Sequence, residues 1–414
     1  MADSSVRYGV WVKGRRAGTL HQFGDHSRFI LDAEYREDPD RPVLGLIFEE
    51  RPNAVHAATL RLPPWFSNLL PEGRLRDWIA DERAVSRQRE MQLLAQVGHD
   101  LPGAVRVIPE GEAPAPAVLE SDADTYPIDE GRPYESPELR FSLAGIAMKF
   151  SMVKNKDRLT LPAHGMGGDW IVKLPDNRFR DVPRNEYAMM SLARAAGIDI
   201  PEVLLVPREN LDSRLPASVW PNGEGWAYAV KRFDRGEGRS LIHMEDLAQV
   251  RNFYPDKKYL GTYETIASLV YRKRDRSALE EFARRLAFCV LISNGDAHLK
   301  NWSLIYINPR VPTLSPAYDL VCTGAYSVSD RPEDLGLKFG GTRLFHEITV
   351  GTFKRLQQRL GVSGVNLEET VVSVIENTRN SWPEFAKLLT GNQQLQDAID
   401  QSIRARSRTL LKRR

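Results

Sequence analysis

Cysteine is scarce: Cys289 and Cys322 are the only two in 414 residues. A disulfide framework is thereby excluded, and a reducing compartment is the expected setting. Long apolar runs are missing too, since no window reaches the roughly 18 uncharged apolar residues that a membrane-spanning helix needs. The opening MADSSVRYGVWVKGRR has no apolar stretch of secretory length, so the expectation is a cytoplasmic protein with no membrane partner. Charge of one sign is lacking as well. Lys+Arg number 57 against 55 Asp+Glu, a net charge of +2, which excludes nucleic-acid binding through overall charge and leaves only a local basic patch. What is present, 42% hydrophobic and 27% charged residues, is ordinary globular composition, and the length suggests two to three packed units.

Residues 6–50 alternate apolar and polar side chains in short runs (Tyr8, Val10, Val12; Phe29, Leu31) between Gly14, Gly18 and Gly24, which reads as a β-meander. From Leu60 the pattern becomes helical, in FSNLLPEGRLRDWIA and RQREMQLLAQVG, making residues 1–108 a small α+β unit. Residues 109–136, rich in proline and acidic side chains and without apolar period, read as a linker. Within 137–243, RFSLAGIAMKFSMV, DWIVKLP and WAYAVKRFD read as strands, and PRNEYAMMSLARAAGI as a helix with Pro183 near its start and Gly197 at its end. Residues 244–414 are dominated by helices. LEEFARRLAFCVLISN puts Leu279, Phe282, Leu286, Cys289 and Val290 on one face, and 366–390 and 392–410 are further helical segments.

The chemistry concentrates in NGDAHLKN, a loop between an apolar helix and the run WSLIYI. Asp296 and Asn301 are five residues apart, the spacing by which a kinase catalytic loop lets its Asp accept from the attacking hydroxyl while the Asn turns to a phosphate-bound Mg²⁺. Asp319 in PAYDL follows a strand pair turning at Asn308, Pro309 and Arg310, where a metal-binding Asp would sit. Upstream, Lys173 on the strand WIVKLP and Glu186 early in the next helix match the phosphate-binding Lys and the Glu that orients it. SLAGIAMK, with Ser142, Gly145 and Lys149, fits a loop over phosphates. AVKRFDR lies where a hinge would offer backbone to adenine, with Asp234 within reach of ribose hydroxyls.

In order, R-F-S-L-A-G, V-K-L-P, N-E-Y, K-R-F-D-R, N-G-D-A-H-L-K-N and Y-D-L resemble the HipA family of bacterial serine/threonine kinases, the toxins of HipBA toxin-antitoxin modules, over nearly the whole chain. WFSNLLPEG resembles that family's N-terminal subdomain. The resemblance implies a two-lobed, protein-kinase-like α+β fold with a β-rich N-terminal subdomain and an all-α C-terminal lobe. It also implies a Mg·ATP site between lobes and transfer of phosphate to protein Ser/Thr. By position, Lys173 would bind ATP phosphates with Gly145 and Lys149, and Glu186 would orient Lys173. Backbone groups of Lys231 and Phe233 with the Asp234 side chain would hold the nucleoside. Asp296 would be the base, His298 would lie near the phosphates, and Asn301 and Asp319 would hold Mg²⁺. Ser142 matches the loop serine whose autophosphorylation switches the kinase off, whereas Ala147 stands where the family commonly has Gln. The implied partners are an aminoacyl-tRNA synthetase as substrate, a HipB-like helix-turn-helix antitoxin, and operator DNA through that antitoxin. Two other readings stay open on the residues alone: a small-molecule phosphotransferase, and a catalytically silent module that partners a repressor.

Overall fold

The structure, a computed structural model, describes residues 5–112, 149–161, 167–215, 217–327 and 334–412. Ser142, Gly145, Ala147 and most of the 109–136 linker lie outside the described residues.

The chain begins with an antiparallel sheet of order β4-β3-β2-β1-β5, built from β1 (Ser5–Val12), β2 (Arg15–Phe23), β3 (His26–Leu31), β4 (His56–Thr59) and β5 (Val105–Pro109). Lys13 and Gly14 both have positive φ, 49° and 76°, the two-residue turn whose twist matches the β1–β2 hairpin. β3 alternates in burial, with Ser27, Phe29 and Leu31 inward. The meander ends at Leu31, and short helices at Ala33–Glu37 and Leu46–Glu50 follow where strands were expected. Phe29, Phe48, Trp65 and Phe66 meet edge to face under this sheet with α1 (Gly73–Glu82) and α2 (Glu90–Val97) beside them.

The second sheet has the order β7-β6-β8-β10-β9, from β6 (Lys149–Asn155), β7 (Arg158–Thr160), β8 (Trp170–Lys173), β9 (Val203–Pro207) and β10 (Trp226–Lys231). Between β8 and β9 runs α3 (Val182–Ala195), which packs on β9 and β10. Pro183 sits in its first turn, where no N–H partner is needed, and Gly197, at φ 87°, lets the chain leave.

The remainder is mostly helical, as expected, around α4 (Tyr263–Tyr271), α5 (Arg276–Leu291), α6 (Val350–Leu360), α7 (Leu367–Phe385) and α8 (Gln393–Leu410). It is not purely helical. A sheet of order β11-β12-β13, from β11 (His243–Asp246), β12 (Ser303–Asn308) and β13 (Val311–Leu314), is set against the first unit. α5 is the central rod: Phe282, Leu286, Cys289 and Val290 are buried, and α4, α7 and α8 pack around it. The Asp275 side chain caps its N-terminus by accepting from the Ala278 N–H at 2.9 Å. Both cysteines are buried, and neither forms a disulfide. Among the described residues no helix is long and apolar enough to cross a membrane.

The first unit is bonded directly to this last one. Val43 N–H donates to Pro309 O (2.9 Å), and His243 Nε2 meets Leu44 O (2.9 Å). Glu245, fully buried on β11, accepts from Leu46 N–H (3.0 Å), Trp65 Nε1 (3.0 Å) and Tyr306 Oη (2.5 Å). Gly45 is required there, because a Cβ would come within 2.4 Å of Trp65 Nε1.

Candidate functional site

β8 delivers Lys173 and α3 delivers Glu186 to one buried point between the second sheet and the helical unit, where Lys173 Nζ lies 2.5 Å from Glu186 Oε1. The same ammonium donates to Asp319 Oδ1, so one cation bridges two carboxylates. Lys149, at the start of β6, stands 3.8 Å from Asp319 Oδ2. Burial alone would disfavour each charge, but Asp319 and Glu186 hold the Lys173 ammonium well above its usual range. For Asp319 likewise burial is outweighed, and Lys149 and Lys173 hold the carboxyl well below the usual carboxylate range. Asp319 adopts a left-handed backbone, φ 56°, a conformation non-glycine residues keep mainly where the surroundings impose it and often at functional sites.

The NGDAHLKN loop leaves α5 through Ser293, also left-handed at φ 51°. Asn294 ties the loop to the Asp319 segment: its Oδ1 accepts from Asp296 N–H (3.0 Å) and its Nδ2 donates to Asp319 O (3.3 Å). Gly295 N–H donates to Thr323 Oγ1 (2.8 Å), and Tyr263 Oη to Ala297 O (2.8 Å). Gly336 packs so close that a Cβ would stand 3.0 Å from Gly295 O. The Asp296 side chain is 53% exposed, and its Oδ1 accepts from Tyr259 Oη at 2.5 Å. Asn301 Nδ2 donates to Asp296 O (2.9 Å), which turns its amide oxygen to another use. Asn294, Asn301, Tyr318 and Asp319 line one small cavity of about 10 Å³. His298 is buried, with Nε2 3.9 Å from Asp296 Oδ1 and Nδ1 without a hydrogen-bond partner among the described residues. Burial pushes its pKa down to about 4, so the ring is neutral near pH 7.

Lys173, Glu186, Lys149 and Asp319 are thus brought to one cluster, with Asp296, His298 and Asn301 on the loop beside them. Phe233 lies against Tyr318 with the rings tilted by 35° and their centroids 5.6 Å apart, which places the segment after β10 at the edge of the same cleft. Lys231 N–H is taken by Glu202 O (2.9 Å), and its Nζ stands 3.9 Å from Glu202 Oε2, so its N–H is not available for the nucleoside contact expected of it. Asp234, the residue expected to reach ribose hydroxyls, has its carboxylate engaged by protein donors. Its carboxylate is buried, accepts from Arg232 Nε (2.9 Å), Arg235 Nη1 (3.0 Å) and Gly103 N–H (2.7 Å), and joins the first unit to the hinge strand. Burial opposes its charge, but Arg232 and Arg235 hold its pKa at about 2.

Residues 8–108 match the HipA N-terminal domain, and residues 141–382 match the HipA-like C-terminal domain. The chain belongs to the HipA family. A putative kinase Y4dM of Sinorhizobium fredii is 40% identical over 403 residues, covering 94% of this chain and 95% of that protein. The serine/threonine-protein kinase toxin HipA of Shewanella oneidensis is 27% identical over 293 residues, 63% of this chain and 62% of that one. The fold is shared with a solved complex of the Shewanella oneidensis HipA, HipB and operator DNA, at a TM-score of 0.71, 20% identity and 97% coverage of both chains. Within this HipA-family site, sequence reading passed over Asn294, Thr323, Tyr259 and Tyr318. Each is an ordinary polar residue whose role depends on a partner distant in sequence or on a turn.

Proposed function

We propose that the chain is an ATP-dependent serine/threonine protein kinase, the toxin of a toxin-antitoxin module, and that it works in the cytoplasm. The observation that carries the reading is the bridge from Lys173 to both Glu186 and Asp319, beside a loop holding Asp296 and Asn301. A positioned Lys, its Glu partner, a metal-binding Asp and a base-plus-Asn loop are the parts that phosphoryl transfer uses.

Among the described residues no three His, Cys, Asp or Glu side chains cluster to hold a metal by themselves. Mg²⁺ is commonly bound by one or two protein oxygens plus substrate phosphates, and Asp319 with Asn301 fits that demand. Bound Mg²⁺ would neutralise charge on the transferring phosphate. Lys173 and Lys149 supply the positive side of a phosphate site, neutral His298 offers an unpartnered ring nitrogen, and Phe233 lies where a nucleoside would rest. Asp296, exposed to the cleft mouth, accepts the proton of the incoming hydroxyl. The substrate class proposed is an aminoacyl-tRNA synthetase, whose modification would arrest translation. The proposed partner is a HipB-like antitoxin that carries the complex to operator DNA; kinase-named relatives and the likeness to a HipA, HipB and DNA complex support this reading.

The test is incubation with Mg·ATP of the purified chain and of Asp296→Asn, with peptide mass spectrometry for phosphate on Ser142. Phosphate on the wild type alone is the expected result, with the variant about 10²- to 10⁴-fold slower. Phosphate on neither protein, with ATP still bound, would overturn the protein-kinase reading. A small-molecule acceptor screen then follows.

A further inference from the structure

Lys300 lies inside the loop, between Asp296 and Asn301, yet its charge points away from the phosphate side. Its Nζ donates to Asn68 O (3.1 Å) and Asn68 Oδ1 (3.1 Å), pairs with Glu72 Oε1 (2.9 Å), and stands 3.6 Å from Asp246 Oδ2. Three donors are all an ammonium has, so Lys300 is committed to the first unit and has nothing left for a ligand. Glu72 reaches the loop by a second route. Its Oε2 takes Lys258 Nζ at 3.2 Å, Lys258 O accepts from Leu299 N–H (3.1 Å), and the next residue, Tyr259, donates to Asp296 Oδ1. Asn68 in turn is fixed by donating to Phe253 O (2.7 Å) and Pro64 O (2.8 Å), and Tyr318 Oη holds Lys300 O (2.8 Å).

From this geometry we infer that Asn68 and Glu72, in the N-terminal unit, are positioning residues for phosphoryl transfer, clamping the catalytic loop through Lys300 and through Lys258–Tyr259. The inference rests on the reading of Asp296 as the base. Only three residues separate Asp296 from Lys300, which is followed directly by Asn301, so a displacement of Lys300 displaces base and metal ligand together. The N-terminal unit is then part of the catalytic apparatus and not an appended module.

The test compares the full chain with Glu72→Gln, Lys300→Met and the double variant, reading kcat and KM for ATP together with amide hydrogen exchange over residues 295–301. Glu72→Gln is expected to lower kcat roughly 10- to 100-fold, the size of loss that small misplacements cause. KM for ATP rises less than kcat falls, because Glu72 acts on Asp296 and Asn301 through the loop and does not touch Lys173 or Lys149, and exchange in the loop quickens. The double variant should be no slower than Lys300→Met alone, as expected for residues acting as one unit. Unchanged kcat and unchanged exchange in Glu72→Gln would overturn the clamp. If the wild type transfers no phosphate, the kinase reading fails separately, and exchange alone decides: faster loop exchange keeps the clamp and unchanged exchange removes it. Should Glu72→Gln not fold, Lys258→Met on the more exposed arm gives the same exchange readout.

Discussion

Lys173 is a single cation between the buried Glu186 carboxylate and the half-buried Asp319 carboxylate, and its removal should be felt in three ways. Lys173→Met leaves Glu186 and Asp319 facing each other with only Lys149 near Asp319 to compensate, a loss on the order of 3–5 kcal/mol for breaking a buried pair. Phosphate transfer should disappear. Because Asp319 is then unpaired except for Lys149, Mn²⁺ alone should raise the melting temperature of the variant more than that of the wild type; equal shifts in a metal titration by calorimetry would show that Asp319 does not bind the ion. These residues were legible in the sequence because each lies in a short string with a fixed spacing or a strand-then-helix context. Asp234 was not. Its neighbours Arg232 and Arg235 compete with any ligand for its carboxylate, and that competition is settled by Asp100 and Gly103, more than a hundred positions earlier.

The element with the most unusual chemistry is β11, four residues that bury His243 and Glu245 completely against the first unit. Burial pushes Glu245 up to about 7, against the hydrogen bonds from Tyr306 and Trp65, and pushes His243 down to about 4. An unfolded chain ionises the Glu near 4.5, so the stability this group contributes is full below that pH and lost as pH rises through 7. His243 acts in the opposite sense: its contribution is full above 6.5 and lost as pH falls toward 4. Between pH 4.5 and 6.5 the two slopes oppose. Glu245→Ala should therefore make stability rise more steeply with pH in that window, by about 1.4 kcal/mol per unit. It should also lower stability overall by about 2–4 kcal/mol, because three buried donors lose their acceptor. Urea titrations at pH 5, 6 and 7 check both; an unchanged slope would mean that Glu245 is ionised in the folded protein. Helices such as α3 and α5 were readable from their apolar period and end signals. β11 was not, because a strand spelled HMED hides its polar side chains in an interface and finds its partner β12 some sixty residues on. β5 escaped for a related reason: it is five residues long and pairs with β1 from the far end of the unit.

At the scale of the molecule, the first unit and the cleft are joined through a buried ion network. Arg235 donates to Asp100 Oδ1 (2.7 Å), Gly103 O (3.0 Å) and Leu101 O (3.2 Å), and Arg232 Nη1 meets Asp100 Oδ1 at 3.1 Å. Arg235→Ala should cost on the order of 3 kcal/mol and split one cooperative unfolding transition into two, visible as fluorescence and far-UV dichroism curves that no longer coincide. None of this docking was legible from the chain, since the sequence reads Asn68–Glu72 only as part of the helical stretch FSNLLPEGRLRDWIA and the folded partner alone gives its polar side chains meaning. The contact between Glu72 and Lys300 also sets an order in time. More than two hundred residues separate them, roughly 10–50 s of synthesis at about 5–20 residues per second. Through that interval the N-terminal unit waits on the ribosome with its docking face bare. The loop that will hold Asp296 is finished only when the last-made half closes on a brace built long before it.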